Sequence, residues 1–247
     1  MIRELDTMGV NFEIESSLIK EVVKAVSNFN EEAIFIFDSD GLFVRLSDLN
    51  RFKILELSIK SDDFLTYSCE SPVELGVIIE RIWDVTKTLK NKDILNFSYE
   101  KGSDVIVLRA NGLTRQIKLI DSKLLSRVPS LIVSYDYTAT IVAKQIKDFL
   151  KACGKSLMFN VSIENGMLNF NCDTEGGLIE LNLDGEECSL SPIDYVGENT
   201  YTISEVNNAL STAKNYLAVK GGSEGIIQFS WDVSQNSNSK AFVARRG

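Results

Sequence analysis

The sequence predicts an α+β chain of two similar domains, each built from a pair of βαβββ units. Three observations predict it. Short apolar runs alternate with period two, amphipathic stretches of helical period interrupt them, and the same order of elements returns about 125 residues later, counting from Gly41 to Gly166.

Taken in order, the first half opens with a strand at Val10–Ile14 and a helix over Ser17–Phe29. A hairpin follows, AIFIFDSDGLFVRLSD, turning at Asp40-Gly41, and then a long strand at Phe52–Lys60. Ile78, Ile79, Ile82, Val85 and Leu89 predict a second helix over Glu74–Leu89, before strands at Ile94–Tyr99, Val105–Ala110 and Leu113–Asp121. The second half begins with a strand at Val133–Thr140 and a helix at Ala143–Cys153. The hairpin LMFNVSIENGMLNFNC turns at Asn165-Gly166, a dipeptide that tolerates the positive φ of a tight turn. A strand at Leu178–Leu183, a helix over Ser204–Asn215 and strands at Tyr216–Lys220, Ile226–Val233 and Lys240–Arg245 complete it. Domains are expected at 1–121 and 134–247, joined by a linker, 122–133, that Pro129 interrupts.

Composition narrows the chemistry. The chain has 247 residues, 44% of them hydrophobic, enough for real cores. It has no histidine, which removes Ser-His, Cys-His and histidine-metal mechanisms, and its acidic residues form no recognisable catalytic pair. No phosphate-binding glycine loop of the GxxxxGK[ST] form is present. The four cysteines show no CxxC pair and are expected to be buried, reduced thiols. Neither a signal peptide nor a membrane-spanning run is expected. The expectation is a binding protein with no catalytic residues, no metal and no cofactor.

The net charge of −9 argues against nucleic acid only if the charges are evenly spread. They are not. The first helix buries Ile19, Val22, Val23 and Val26 and exposes Lys20 and Lys24; the second exposes Arg81 and Lys87, with Lys90 just beyond. The third exposes Lys144, Lys147 and Lys151, and the fourth Lys214. Side by side, these helices would present one cationic surface in an otherwise anionic molecule, suited to non-specific contact with duplex phosphates. No aromatic residues interleave the lysines, so base stacking is not predicted.

From about residue 11, and over almost the whole chain, the sequence resembles the proliferating-cell-nuclear-antigen (PCNA) family of DNA sliding clamps. The resemblance is carried by FEIESSLIKEVVKAVSNFNEEAIFIFDSDGLFVRLSDLNRFKILEL, by DFLTYSC, by RQIKLID before the linker and by the terminal KAFVARR. It implies a subunit of a three-subunit ring, homomeric or mixed, with helices lining the hole and sheets outside. Such a ring is a processivity factor that encircles duplex DNA and tethers DNA polymerase, flap endonuclease and DNA ligase after a clamp loader places it. It would be cytoplasmic and nucleoid-associated in an archaeon, nuclear in a eukaryote.

The resemblance also implies two protein contacts. Subunits would join edge to edge through Arg115, Ile117 and Lys118 on one side and Leu178, Glu180, Leu181 and Leu183 on the other. Client peptides would anchor among Ser47, Asp48, Arg51, Ile54, Leu125, Val128, Pro129, Phe242, Val243, Ala244, Arg245 and Arg246. The chain departs from the family there. Ala244-Arg245-Arg246 replaces Ala-Pro-Lys, Ser47 replaces a methionine, Gly225 stands where a proline is common, and Lys123 and Arg127 make the linker basic. These departures fit a specialised paralogue. The alternatives are a checkpoint-type clamp with other clients, a monomeric α+β interaction domain that does not encircle DNA, and an enzyme using carboxylates.

Overall fold

The computed structural model describes residues 8–246. Two compact units make up the chain. The first comprises Met1–Leu49, Leu55–Val128 and Asp232–Ser239; the second comprises Asn50–Ile54, Pro129–Trp231 and Lys240–Gly247. The expected linker is thus shared between them at Val128 and Pro129.

In the first unit the order is β1 (Met8–Glu15), α1 (Ser16–Ser27), β2 (Glu32–Asp38), β3 (Gly41–Ser47), β4 (Lys53–Lys60), β5 (Thr66–Ser68), β6 (Val73–Ile78), α2 (Ile79–Thr86), β7 (Ile94–Glu100), β8 (Val105–Ala110) and β9 (Leu113–Lys118). The strands lie in the orders β5-β1-β7-β8-β9 and β4-β3-β2-β6. Alternation in β1 buries Val10, Phe12 and Ile14, and the helical period in α1 buries Ile19, Val22, Val23 and Val26. Phe12 anchors this core: its ring stacks on Phe97 at 4.5 Å and meets Phe64 edge-on at 4.8 Å. Each such fully buried ring contributes about 1.5–3 kcal/mol. Asp63 ties a distant hairpin loop into the unit. Its carboxylate accepts from Ser234 Oγ at 2.5 Å, from Asn236 Nδ2 at 3.1 Å and from the Ser237 hydroxyl. Burial pushes the Asp63 carboxyl up, but these donors outweigh it and hold it below the ordinary carboxylate value.

The second unit repeats the plan: β10 (Tyr137–Val142), α3 (Ala143–Ala152), β11 (Met158–Glu164), β12 (Met167–Thr174), β13 (Gly177–Asp184), β14 (Gly197–Thr202), α4 (Ile203–Ala209), β15 (Tyr216–Gly221), β16 (Ile226–Asp232) and β17 (Asn238–Ala244). Its strands lie in the orders β10-β15-β16-β17 and β13-β12-β11-β14. Phe149 of α3 packs edge-on against Phe159 at 5.7 Å, with Phe170 and Tyr201 completing the cluster. Each unit is therefore βαβββ twice over, with β5 as an addition in the first. The cysteines are free thiols, buried at Cys153, Cys172 and Cys188 and half-buried at Cys69.

Three expectations need correction. Residues 74–78, predicted as the start of a helix, belong to β6, where Leu75 and Val77 are buried by alternation and pair with Phe35 and Ala33. The isoleucines that follow continue the apolar run at helical spacing, which hid the boundary. The last helix ends at Ala209, so Lys214 lies in the connection to β15 rather than on a helix. The first hairpin turns at Ser39-Asp40, because Asp38 pairs with Gly41. Gly41 is required for a different reason: its φ is +129°, and a Cβ there would lie 2.0 Å from the Ile59 carbonyl oxygen. The second hairpin turns as predicted, with Asn165 at φ 51° and Gly166 at φ 73°.

Candidate nucleic-acid interface and open sheet edges

The cations of the helical faces divide into three groups. Lys20 and Lys147 occupy the same place, the fifth residue of α1 and of α3. Both turn their ammonium groups onto carbonyls of the segment after the next helix: Lys20 donates to Leu89 O, and Lys147 to Ala213 O at 2.5 Å and Ser211 O at 3.5 Å. Arg81 is held similarly, donating to Lys118 O at 3.0 Å. A second group pairs with acids on its own helix, Lys87 with Asp84 at 2.5 Å and Lys144 with Asp148. Lys24, Lys90 and Lys151 are exposed and, among the described residues, have no carboxylate within ion-pair distance. Lys92, which sequence reasoning passed over, is exposed as well. It precedes β7 as Lys214 precedes β15, so the internal repeat was the signal that would have found it. One acid sits among these lysines. Asp93 accepts from the Lys90 amide and from Asn111, and these bonds with the charges of Lys90 and Lys20 hold its carboxyl below the ordinary value.

The carbonyl-capping pair makes a prediction about folding rather than binding. Lys20→Met or Lys147→Met keeps the methylene stem but leaves main-chain carbonyls without their donor. Each is expected to cost about 1 kcal/mol of stability. Denaturant unfolding measures it; an unchanged midpoint would show the two ammonium groups to be dispensable to the fold.

The sheet edges differ in how they are treated, and the difference is informative. The outer side of β6 is covered, since Ile120 N donates to Gly76 O at 2.9 Å and Arg127 grips Glu74 with two parallel bonds, one of 2.9 Å. The Arg127 bonds hold the Glu74 carboxyl below its ordinary value. β10 is covered by the loop at Ser191, with reciprocal bonds to Thr138 of 2.8 and 2.9 Å, and β14 accepts at Thr200 O from Arg246 N at 2.8 Å. β5 is only three residues long. Two long edges, β9 and β13, are left bare by the described residues.

The turn before β9 sets what that bare edge offers. Asn111 and Gly112 have φ of 50° and 78°, a two-residue turn whose flanking pair, Ala110 and Leu113, exchanges both main-chain bonds. Alternation then directs the N–H and C=O of Thr114 and Gln116 outward, where no described residue meets them. On β13, among the described residues, the two ends Gly177 and Asp184 alone take a further bond, from Thr174 and Cys188. Both strands also leave apolar surface at the edge: Ile117 and Leu183 are buried, but Leu113 is 75% exposed and Leu178 57%. Leu181 is half-buried. The faces refine the expected charge match. Arg115 shares the inner face with Ile117, whereas Lys118, Glu180 and Asp184 are on the outer faces. Sheet continuation would thus bring Lys118, not Arg115, towards the acids.

The expected client residues fall in both units. In the first, Ser47 ends β3 and its carbonyl accepts from Asn30 Nδ2 at 3.3 Å; Asp48 is buried, and Leu125 and Val128 are half-buried. In the second, the strand leading to the C-terminus runs beside Arg51–Ile54, with Ala244 N donating to Phe52 O at 2.9 Å. Phe242 and Val243 are buried, Ile54 is half-buried, and Pro129 is exposed. Arg245 and Arg246 are exposed but fixed. Arg246 stacks on the Phe52 ring at 4.1 Å and its Nε donates to Thr202 Oγ1 at 2.8 Å; Arg245 N donates to Gly225 O at 2.7 Å. Gly225 has φ +75°, and a Cβ there would fall 2.3 Å from Arg245 Cδ. A proline is therefore excluded at this position, by its own φ and by the arginine.

The duplicated α+β units, each βαβββ twice over, share their fold with a solved PCNA chain. A chain in the solved complex of the C-terminal region of FEN-1 with A. fulgidus PCNA superposes with a TM-score of 0.89 at 17% identity, covering 96% of this chain and 98% of that one. Residues 9–127 match the model of the proliferating cell nuclear antigen N-terminal domain. The DNA polymerase sliding clamp of Cenarchaeum symbiosum (strain A) is 27% identical over 118 residues, 48% of this chain and 47% of the relative. DNA polymerase sliding clamp 1 of Aeropyrum pernix is 28% identical over 144 residues, 57% of this chain and 58% of the relative. The chain spans about half the length of the curated relatives it matches.

Proposed function

We propose that the chain is a sliding-clamp subunit, a non-enzymatic DNA polymerase processivity factor that joins like subunits into a ring around duplex DNA. The observation that carries this reading is the pair of bare edges, β9 and β13, in a chain that covers or shortens its other sheet edges. One subunit's β9 would pair with the next subunit's β13, Lys118 approaching Glu180 or Asp184, and repetition of that heterologous contact closes a ring. Lysines of the helices and of the connections that follow them would meet phosphates, chiefly Lys24, Lys90 and Lys151, with Lys87, Lys144 and Lys214 adding to them. Such contact is electrostatic and sequence-independent, so the ring would slide. Polymerase, flap endonuclease and ligase would dock at the client residues, after a clamp loader places the ring. The assembly would work inside the cell, at the nucleoid in an archaeon.

Primer extension on a singly primed circle, with and without the chain and its host's clamp loader, tests the proposal. Products per binding event are expected to lengthen; equal lengths in both reactions would refute it.

A further inference from the structure

The distribution of ion pairs along the chain points to a client chemistry. Arg45, Lys53, Lys60, Lys87, Arg127 and Lys144 each have a carboxylate partner. Arg51, Arg245 and Arg246 are exposed and, among the described residues, lie within ion-pair distance of no carboxylate. Their main chains nonetheless lie close together. Arg51 adjoins Phe52, whose carbonyl accepts from Ala244 N, and Arg245 and Arg246 follow directly. The last two are held by neutral partners alone: Arg246 by the Phe52 ring, Thr202 Oγ1 and Thr200 O, Arg245 by Gly225 O and, through Nη1, by Asn199 Oδ1 at 3.4 Å. Gly225 leaves the room that the Arg245 side chain fills.

Fixed guanidinium groups without counter-charges, such as those of Arg245 and Arg246, are preorganised anion receptors, because little rotamer freedom remains to be lost on binding. In a chain of net charge −9 such a group of cations also stands out electrostatically. We infer that this surface selects client segments whose apolar and aromatic anchors are flanked by aspartate or glutamate, the carboxylates engaging Arg51, Arg245 and Arg246. The inference rests on the client-docking part of the proposed function. It is stated for a peptide partner because the half-buried Phe52 and Ile54 beside the arginines supply apolar contact that a free anion would not use.

Fluorescence polarisation with three synthetic peptides tests it on the full chain. Two carry the same short turn of one leucine and two phenylalanines, flanked by runs of aspartate or of lysine; the third keeps the aspartates and replaces the anchors with serine. The aspartate-flanked peptide is expected to bind about tenfold tighter than the lysine-flanked one at low salt, a preference that shrinks as salt rises. The serine peptide is expected to bind weakly, and R245A/R246A is expected to abolish the preference between the two anchored peptides. Equal binding of both anchored peptides would overturn the charge inference and leave docking standing. A preference surviving in R245A/R246A, or full binding of the serine peptide, would also overturn it. Binding of neither anchored peptide would overturn the docking reading as well.

Discussion

Gln116→Pro is expected to abolish assembly between subunits while leaving the isolated fold intact. Gln116 directs its N–H away from β8, so proline removes no hydrogen bond among the described residues. It does remove a donor from the bare edge and places a ring where the neighbouring strand must approach. Edge strands accept proline for that reason, and strands that must pair on both sides do not. A cost of about 3 kcal/mol, or more than about 100-fold in dissociation constant, follows. Gln116→Ala, which keeps the N–H, is expected to assemble normally. Native mass measurement of both variants, alone and with related clamp subunits, separates main-chain pairing from side-chain effects; normal assembly of the proline variant would place the subunit contact elsewhere.

The second large effect concerns DNA. Replacing Lys24, Lys90 and Lys151 together by alanine is expected to weaken retention on DNA about tenfold or more at moderate salt. Removing each lysine that neutralises a phosphate should also flatten the logarithmic salt dependence by about 0.9. Among the described residues, none of the three has a carboxylate within ion-pair distance, so mass and unfolding midpoint should stay put. Lys20→Met with Lys147→Met should show the converse pattern, since those ammonium groups are spent on Leu89 and Ala213 carbonyls. Salt titrations of both variants on duplex DNA decide the matter. If the triple variant keeps its slope, the exposed lysines do not contact phosphate.

The contrast between these two lysine sets marks where the sequence stops being legible. Helical period and alternation revealed the duplicated units, because each buried stripe lies within one short window. Asn165-Gly166 was readable for the same local reason. The start of β6 was not, since Ile78, Ile79 and Ile82 extend the apolar run at helical spacing. Lysine roles are set by partners far along the chain: Lys20 and Leu89 are 69 residues apart, Lys147 and Ala213 are 66 apart, and no spacing rule connects them. Lys20, Lys24, Lys147 and Lys151 read alike as helix-face cations, yet two cap carbonyls and two are left exposed. Arg127 is a similar case. It makes the linker basic on paper, but Glu74 neutralises it in the fold. The pairing of Gly225 with Arg245 was visible only as two departures from the family pattern, and packing shows them to be one change.

Encirclement is tested most directly by topology. The assembled ring would be loaded onto a nicked circular plasmid, freed of unbound protein, and the circle then cut at one site. Retention on the circle followed by release on cutting is the expected result, because a closed ring leaves DNA only over an end. Equal retention before and after cutting would mean that the protein grips DNA without surrounding it.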